Sequence, residues 1–225
     1  AAVVRGWAHP RLLETYEEER RPIAQANTDF SVTNGRRWAA AQQAIVSSDE
    51  AALASALKEQ VKHLDSEGQD LGFRYASGAL VPGGTRGPGP MDSQVYVPSA
   101  RPGARAPHAW LRPVTPSAGA GSPRLSTLDL FERQFVLLSG PHDEIWRTAA
   151  QAVAQDLGIP LSAYAIGPGG DFEPEDDWSH LYELDALGAV LVRPDGHVAW
   201  RTRGQSNDAL ALMRHALAAS SGRQT

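Results

Sequence analysis

Six stretches of the sequence carry groups able to do chemistry. His142, in Gly140-Pro141-His142-Asp143, could serve as a general base, but no nucleophile is spaced beside it and a surface or capping role is the simpler reading. The run from Asp171 to His180 (DFEPEDDWSH) offers the oxygen ligands a hard cation takes. It lacks the glycine turn and bidentate glutamate spacing of a calcium loop, so it reads as a solvated acidic loop and assigns no metal ligand. Two glycine runs, Gly83 to Gly89 (GGTRGPG) and Gly167-Pro168-Gly169-Gly170, are candidates for cradling phosphate. Neither is a GxGxxG between a strand and a helix N-terminus, where aligned amides and the helix dipole would face a pyrophosphate. Arg101, Arg105 and His108 could face one anionic group together; the alternative is an extended strand that pins two parts of the chain through Trp110 and Leu111. In LLETYEEERRP (residues 12–22), Tyr16 shares a helix face with Glu19 or Arg20, and Glu17 and Arg21 form a favourable i,i+4 pair of a kind usually solvated. No GxSxG elbow or HExxH helix occurs.

Composition narrows the chemistry further. The 225 residues contain no cysteine, which excludes a disulfide scaffold, thiolate zinc, a CxxC redox centre and a cysteine nucleophile. Any redox chemistry must come from a cofactor. A net charge of −5, with an apolar fraction of 42%, fits a globular chain and argues against a nucleic-acid binder. No apolar window approaches the ~18 residues of a membrane span, and AAVVRGWAHP lacks the basic region of a signal peptide, so a cytoplasmic location is expected. AAVVRG itself reads as the last turn and a half of a helix stopping at Gly6, with no initiator Met, which suggests that something precedes it.

The elements that must position these groups fall into three regions. Eight of the 21 glycines and nine of the 16 prolines lie within residues 78–124, which mark a connector between residues 1–77 and 125–225. Residues 1–77 read helical. Pro22 predicts a kink, or a helix ending near Arg20 and a new one starting. Leu53, Leu57, Val61 and Leu64 form the stripe of a second helix, capped by Ser48 or Asp49 and stopped by Gly68. From Leu125 strands alternate with helices. Phe135 to Ser139 is a buried strand, Asp143 caps a helix ending at Gly158, and Leu161 to Ile166 is the next strand. A short helix covers Trp178 to Leu184, two strands meet at the Asp195-Gly196 turn, and Asn207 opens a last helix with Leu210, Met213 and Leu217. The order strand, helix, strand, helix, strand, strand, helix predicts an α/β fold whose C-terminal part is a thioredoxin-like domain, a mixed sheet with flanking helices and no reactive thiol.

LLETYEEERRP, DLGFRYASGAL (residues 70–80), SARPGARAPHAWL (residues 99–111), STLDLF (residues 126–131) and VLVRPDGHVAWR (residues 190–201) occur in the order in which similar motifs occur in FAD-dependent aromatic hydroxylases. The chain resembles the C-terminal part of such enzymes, of the phenol and 2,4-dichlorophenol 6-monooxygenase type, with polyketide hydroxylases as cousins. The resemblance implies a class A flavoprotein using FAD and NAD(P)H to hydroxylate a phenolic or polyketide aromatic ring, the flavin doing the chemistry. It also implies that residues 1–77 are the closing helices of a flavin monooxygenase domain, that the FAD-binding portion lies upstream, and that the thioredoxin-like domain serves packing or a homodimer contact. It carries no catalytic, cofactor-binding or metal residue onto this chain, which by itself is expected to bind no cofactor and to be inactive. The rival reading is a free-standing, non-redox thioredoxin-like interaction module.

Overall fold

The computed structural model describes residues 1–82, 92–114 and 123–223. Ala1 to Gly6 form turns, with Arg5 N–H bonded to the Ala1 carbonyl at 2.9 Å and Gly6 at φ +79°, as a helix end stopped by glycine requires. Helix α1 (Glu14–Val46) then runs through Pro22 as one helix, rather than ending near Arg20 with a new helix after it. The carbonyl that proline leaves unpaired, that of Glu18, lies on an exposed turn where water can satisfy it. Helix α2 (Glu50–Leu64) packs back against α1, capped by Asp49, whose carboxylate accepts the Ala52 N–H at 2.9 Å. Gly68 does not stop it. Asp65 does, and Gly68 sits inside the short helix α3 (Glu67–Leu71), where a Cβ would lie 1.9 Å from the Asp92 carbonyl oxygen. Ala41 and Ala44 are buried on α1, whereas Trp38, Ile45, Leu57, Val61 and Leu64 stay exposed.

Strand β1 (Trp110–Pro113) lies within the Gly/Pro-rich region, β2 is Leu125–Ser126, and β3 is Phe135–Ser139. Helix α4 (Glu144–Leu157), β4 (Leu161–Ala165), β5 (Phe172–Pro174) and helix α5 (Trp178–Tyr182) follow. Strands β6 (Ala189–Val192) and β7 (Val198–Thr202) and helix α6 (Ala209–Ser220) complete the chain, α6 being capped at Asp208, one residue after the expected Asn207. Four strands form a mixed sheet in the order β4-β3-β6-β7, with β3 and β4 parallel and the other pairs antiparallel. Alternation along β3 explains why FVLLS is apolar throughout: Phe135 and Leu137 face a core with Trp146, Val153 and Leu217 from α4 and α6, while Val136 and Leu138 face a second core. That second face is covered by Phe131, Leu111 and α5, with a small antiparallel sheet, β2-β1-β5, that the sequence pattern does not announce. The run expected to be a solvated acidic loop therefore contains an edge strand, Phe172–Pro174, paired with β1.

Asp143 caps α4 through Oδ1, accepting from the Ile145 and Trp146 amides at 3.2 and 3.4 Å, while its Oδ2 is buried without a partner among the described residues. Burial pushes this carboxyl above its ordinary range. Asp143→Ala is expected to lose about 1 kcal/mol of stability through the cap. Asp143→Asn, which keeps the accepting oxygen and removes the buried charge, should cost less, and equal losses in urea unfolding would show that charge rather than capping matters here.

Candidate functional site

The sequence groups do not gather as candidates, but a different set does. His142 is exposed at the turn before α4. The amides of Gly167 and Gly170 are spent internally, on the Phe172 and Gly167 carbonyls at 2.8 and 2.9 Å, so they offer no phosphate cradle. Gly83 to Gly89 lie outside the described residues. Arg101, Arg105 and His108 do not face one anion: Arg101 approaches Glu183 at 3.8 Å, Arg105 pairs its backbone with His197, and His108 Nδ1 lies 2.7 Å from Ser126 Oγ. Leu111 is fully buried in β1, as the pinning reading requires. No group of three or more histidine and acidic side chains fit to hold a metal occurs among the described residues. Within the acidic run, Glu175 instead accepts Arg112 and Arg124 at 2.6 and 3.3 Å.

The pair read as solvated, Glu17 and Arg21, is exposed at 3.3 Å. Glu19, two residues on, turns inward. It is 5% exposed and receives Arg193 in a bidentate fork, at 2.6 Å to Oε1 and 2.9 Å to Oε2, while Oε1 also accepts the Ala79 N–H at 2.8 Å. The close approach is possible because residue 78 is glycine at φ +104°; a Cβ there would come within 2.5 Å of the Glu19 side chain. Arg193 ends the apolar run of β6 and enters the Asp195-Gly196 turn, which lets it also donate to Asp195 at 3.1 and 2.6 Å. One guanidinium thus joins two carboxylates, one of them 174 residues away from it in the chain. Burial works against the charge on Asp195, yet the hydrogen bond from His197 and the Arg193 guanidinium outweigh it and hold the carboxyl well below its usual range. Burial likewise opposes the Arg193 charge, and the bonds to Glu19 and Asp195 raise it above the ordinary guanidinium value.

An aromatic layer sits on this network. The Arg193 guanidinium lies 5.6 Å from the centre of the Tyr75 ring, which stacks on His197 at 4.6 Å, and Arg20 approaches the same ring at 5.8 Å. Burial raises the Tyr75 hydroxyl above its ordinary range. Beside the network opens a cleft of about 650 Å³, lined by Trp7, Tyr16, Glu19, Arg20, Phe135 and Arg193 among others. Tyr16, Glu19 and Arg20 therefore do meet at one place, as their helical spacing allows, but their partner was unreadable. A charged residue closing the apolar run AVLV is the one signal in the sequence that could have pointed to Arg193.

The fold joins a helical N-terminal segment to a mixed-sheet domain through the buried Glu19–Arg193 pair, and without cysteine it holds no thiol for thioredoxin redox chemistry. Comparison with known proteins gives the family. The family description "Aromatic-ring hydroxylase, C-terminal" matches residues 99–223, and "FAD binding domain" matches residues 1–31. The chain belongs to the aromatic-ring hydroxylase family. It is 38% identical to tetracenomycin A2 monooxygenase-dioxygenase of Streptomyces glaucescens, over 96% of this chain and 35% of that protein. It is 33% identical to 2,4-dichlorophenol 6-monooxygenase of Delftia acidovorans, over 96% of this chain and 41% of that one. Among solved structures, the flavin-dependent monooxygenase PieE, in complex with FAD and substrate, superimposes with a TM-score of 0.83 at 34% identity, covering 99% of this chain and 42% of that one. The chain thus spans roughly a third to two fifths of the length of these relatives.

Among the described residues, every α-helix N-terminus holds a carboxylate, at the N-cap or in the first turn: Glu14, Asp49, Glu67, Asp143, Asp177 and Asp208. A carboxylate there occupies the positive end of the helix and repels a second anion. No helix among the described residues is long and apolar enough to cross a membrane.

Proposed function

We propose that this chain works as the C-terminal portion of an FAD-dependent, NAD(P)H-using monooxygenase that hydroxylates a phenolic or polyketide aromatic ring. In this reading residues 1–77 are the closing helices of the FAD and substrate domain, residues 78–124 connect, and residues 125–225 form the thioredoxin-like domain. The catalytic and cofactor contacts come from an N-terminal FAD-binding portion, and this chain contributes structure or a dimer contact. The observation that carries the proposal is the Glu19–Arg193 pair. It is buried, and it joins the segment matched by the FAD-binding description to the segment matched by the aromatic-ring hydroxylase description. A module built only to bind partners through its sheet has no need of such a joint.

The test is to purify the 225-residue chain, record its flavin absorbance, and assay NAD(P)H oxidation on addition of phenol or a polyketide aromatic. The chain alone is expected to be colourless and inactive, and to gain both properties when joined to the FAD-binding portion of its Streptomyces glaucescens relative. A yellow chain that oxidises NAD(P)H in response to phenol by itself, or a joined protein that binds no flavin, would overturn the reading.

A further inference from the structure

We propose that a cluster of arginines around Glu183 binds a doubly charged oxyanion, a phosphate group being the representative case. Glu183 follows α5 in the left-handed region at φ +53°, which is uncommon for a residue with a side chain. Its carboxylate meets arginines from two distant segments. Arg201, in β7, and Arg203, just past it, lie 3.1 and 3.5 Å from Oε2, and Arg101 approaches Oε1 at 3.8 Å. Arg74 is brought beside this group by a backbone bridge to Ala104; half-buried, it makes no ion pair among the described residues. Burial and the nearby Arg101 charge lower its guanidinium below the ordinary value.

Charge decides what the cluster lacks. Arg201 and Arg203 share one carboxylate and Arg74 pairs with none, so these three guanidiniums leave two positive charges unmatched before Arg101 is counted. In a chain whose net charge is −5, that is a local excess of the opposite sign. Asp185, two residues after Glu183, donates its backbone N–H to the Arg203 carbonyl at 2.9 Å and leaves the Arg203 guanidinium to Glu183. Arg201 is an anchor: its side chain is 4% exposed and also donates to the Tyr182 carbonyl at 3.2 Å. The donors open to a ligand are those of Arg203, which is 62% exposed, and of Arg101 and Arg74, which are partly so. Guanidinium forks match paired oxygens of phosphate or sulfate. A dianion cancels the unmatched charge, whereas a carboxylate or chloride cancels half of it. The proposal uses only this chain's own residues and stands whether or not the chain works within a monooxygenase.

The experiment titrates the ¹⁵N-labelled 225-residue chain at constant ionic strength with glycerol 3-phosphate, inorganic phosphate, sulfate and acetate. It follows the backbone amides of Arg101, Glu183 and Arg203. The dianions should shift them saturably, and acetate should bind at least about tenfold more weakly. A phosphate ester loses its second charge near pH 6, so glycerol 3-phosphate should weaken several-fold between about pH 7.5 and pH 5 while sulfate does not. Tighter binding of the ester than of inorganic phosphate assigns the site to phosphorylated ligands, and equal binding assigns it to the free ion. Arg203→Met should weaken sulfate at least about fivefold, and Arg133→Met, at an exposed arginine lining the larger cleft, should leave it unchanged. Glu183→Gln removes the internal competitor and should tighten sulfate binding. No saturable shift, equal binding of sulfate and acetate, unchanged affinity in Arg203→Met, or weaker binding in Glu183→Gln would each overturn the site. Should Glu183→Gln fail to fold, Arg203→Met and the comparison of sulfate with acetate still decide.

Discussion

Arg193→Met is expected to destabilise the protein by about 3–5 kcal/mol, because it leaves the Glu19 carboxylate buried and facing Asp195 with no cation between them. The loss is set by the stranded charge rather than by the value of the ion pair itself. Replacing both partners, as Glu19→Met with Arg193→Met, should therefore recover most of it, since two well-packed apolar side chains need no solvation. Urea unfolding of the two variants measures this as a shift in midpoint at constant slope. A single substitution costing under about 1 kcal/mol, as exposed ion pairs do, would show that the pair does not hold the two segments together. The same network sets an acid response. The Asp195 carboxyl is held below its unfolded value, so its contribution is fully present above the unfolded pKa of about 3.9 and is lost as pH falls through the lower, folded value. Arg193→Met removes one cause of that depression. The gap in stability between the two proteins should accordingly narrow below about pH 4, and a gap that widened there would reverse the sign of the argument.

Gly103→Ala is expected to cost roughly 2–5 kcal/mol, the sum of a left-handed backbone penalty and an overpacked contact. Gly103 has φ +86°, and a Cβ there would stand 2.0 Å from the Tyr75 carbonyl oxygen. Its backbone bridges two segments: its carbonyl accepts the Tyr75 N–H at 3.0 Å and its N–H donates to the Val198 carbonyl at 2.8 Å. Pushing these apart disturbs the stack of Tyr75 on His197 along with the stability. Gly196→Ala is the control. It shares the positive φ, at +79°, but a Cβ there would meet nothing within 4 Å, so it should carry the backbone penalty alone. If Gly103→Ala unfolds at the same urea concentration as Gly196→Ala, close approach of the chain is not what requires glycine at position 103. Faster amide exchange at Tyr75 in Gly103→Ala would locate the damage at the joint.

Local chemistry made much of the thioredoxin-like part legible. FVLLS is apolar at every position because both faces of its strand are covered, Asp143 and Gly158 bracket α4, and Asp195-Gly196 turns the β6–β7 hairpin. These signals act over a few residues and survive in one dimension. Where a third body intervened, the reading failed. Gly68 looked like a helix stop, but its small size is required by the Asp92 carbonyl; Pro22 looked like a break, but its lost bond faces water. The acidic run hid a strand whose reason is β1, about sixty residues earlier. Glu19 read only as a neighbour of Tyr16 on one helix face, and nothing within four residues of it says that it leaves water. The order of residues was enough to settle the elements of the mixed sheet, the lack of a thiol and the family. Which charges leave water is settled only once the chain has folded. That choice depends on a partner 174 residues away, a glycine that clears the path and a buried ring above the pair, and no local propensity encodes such a meeting.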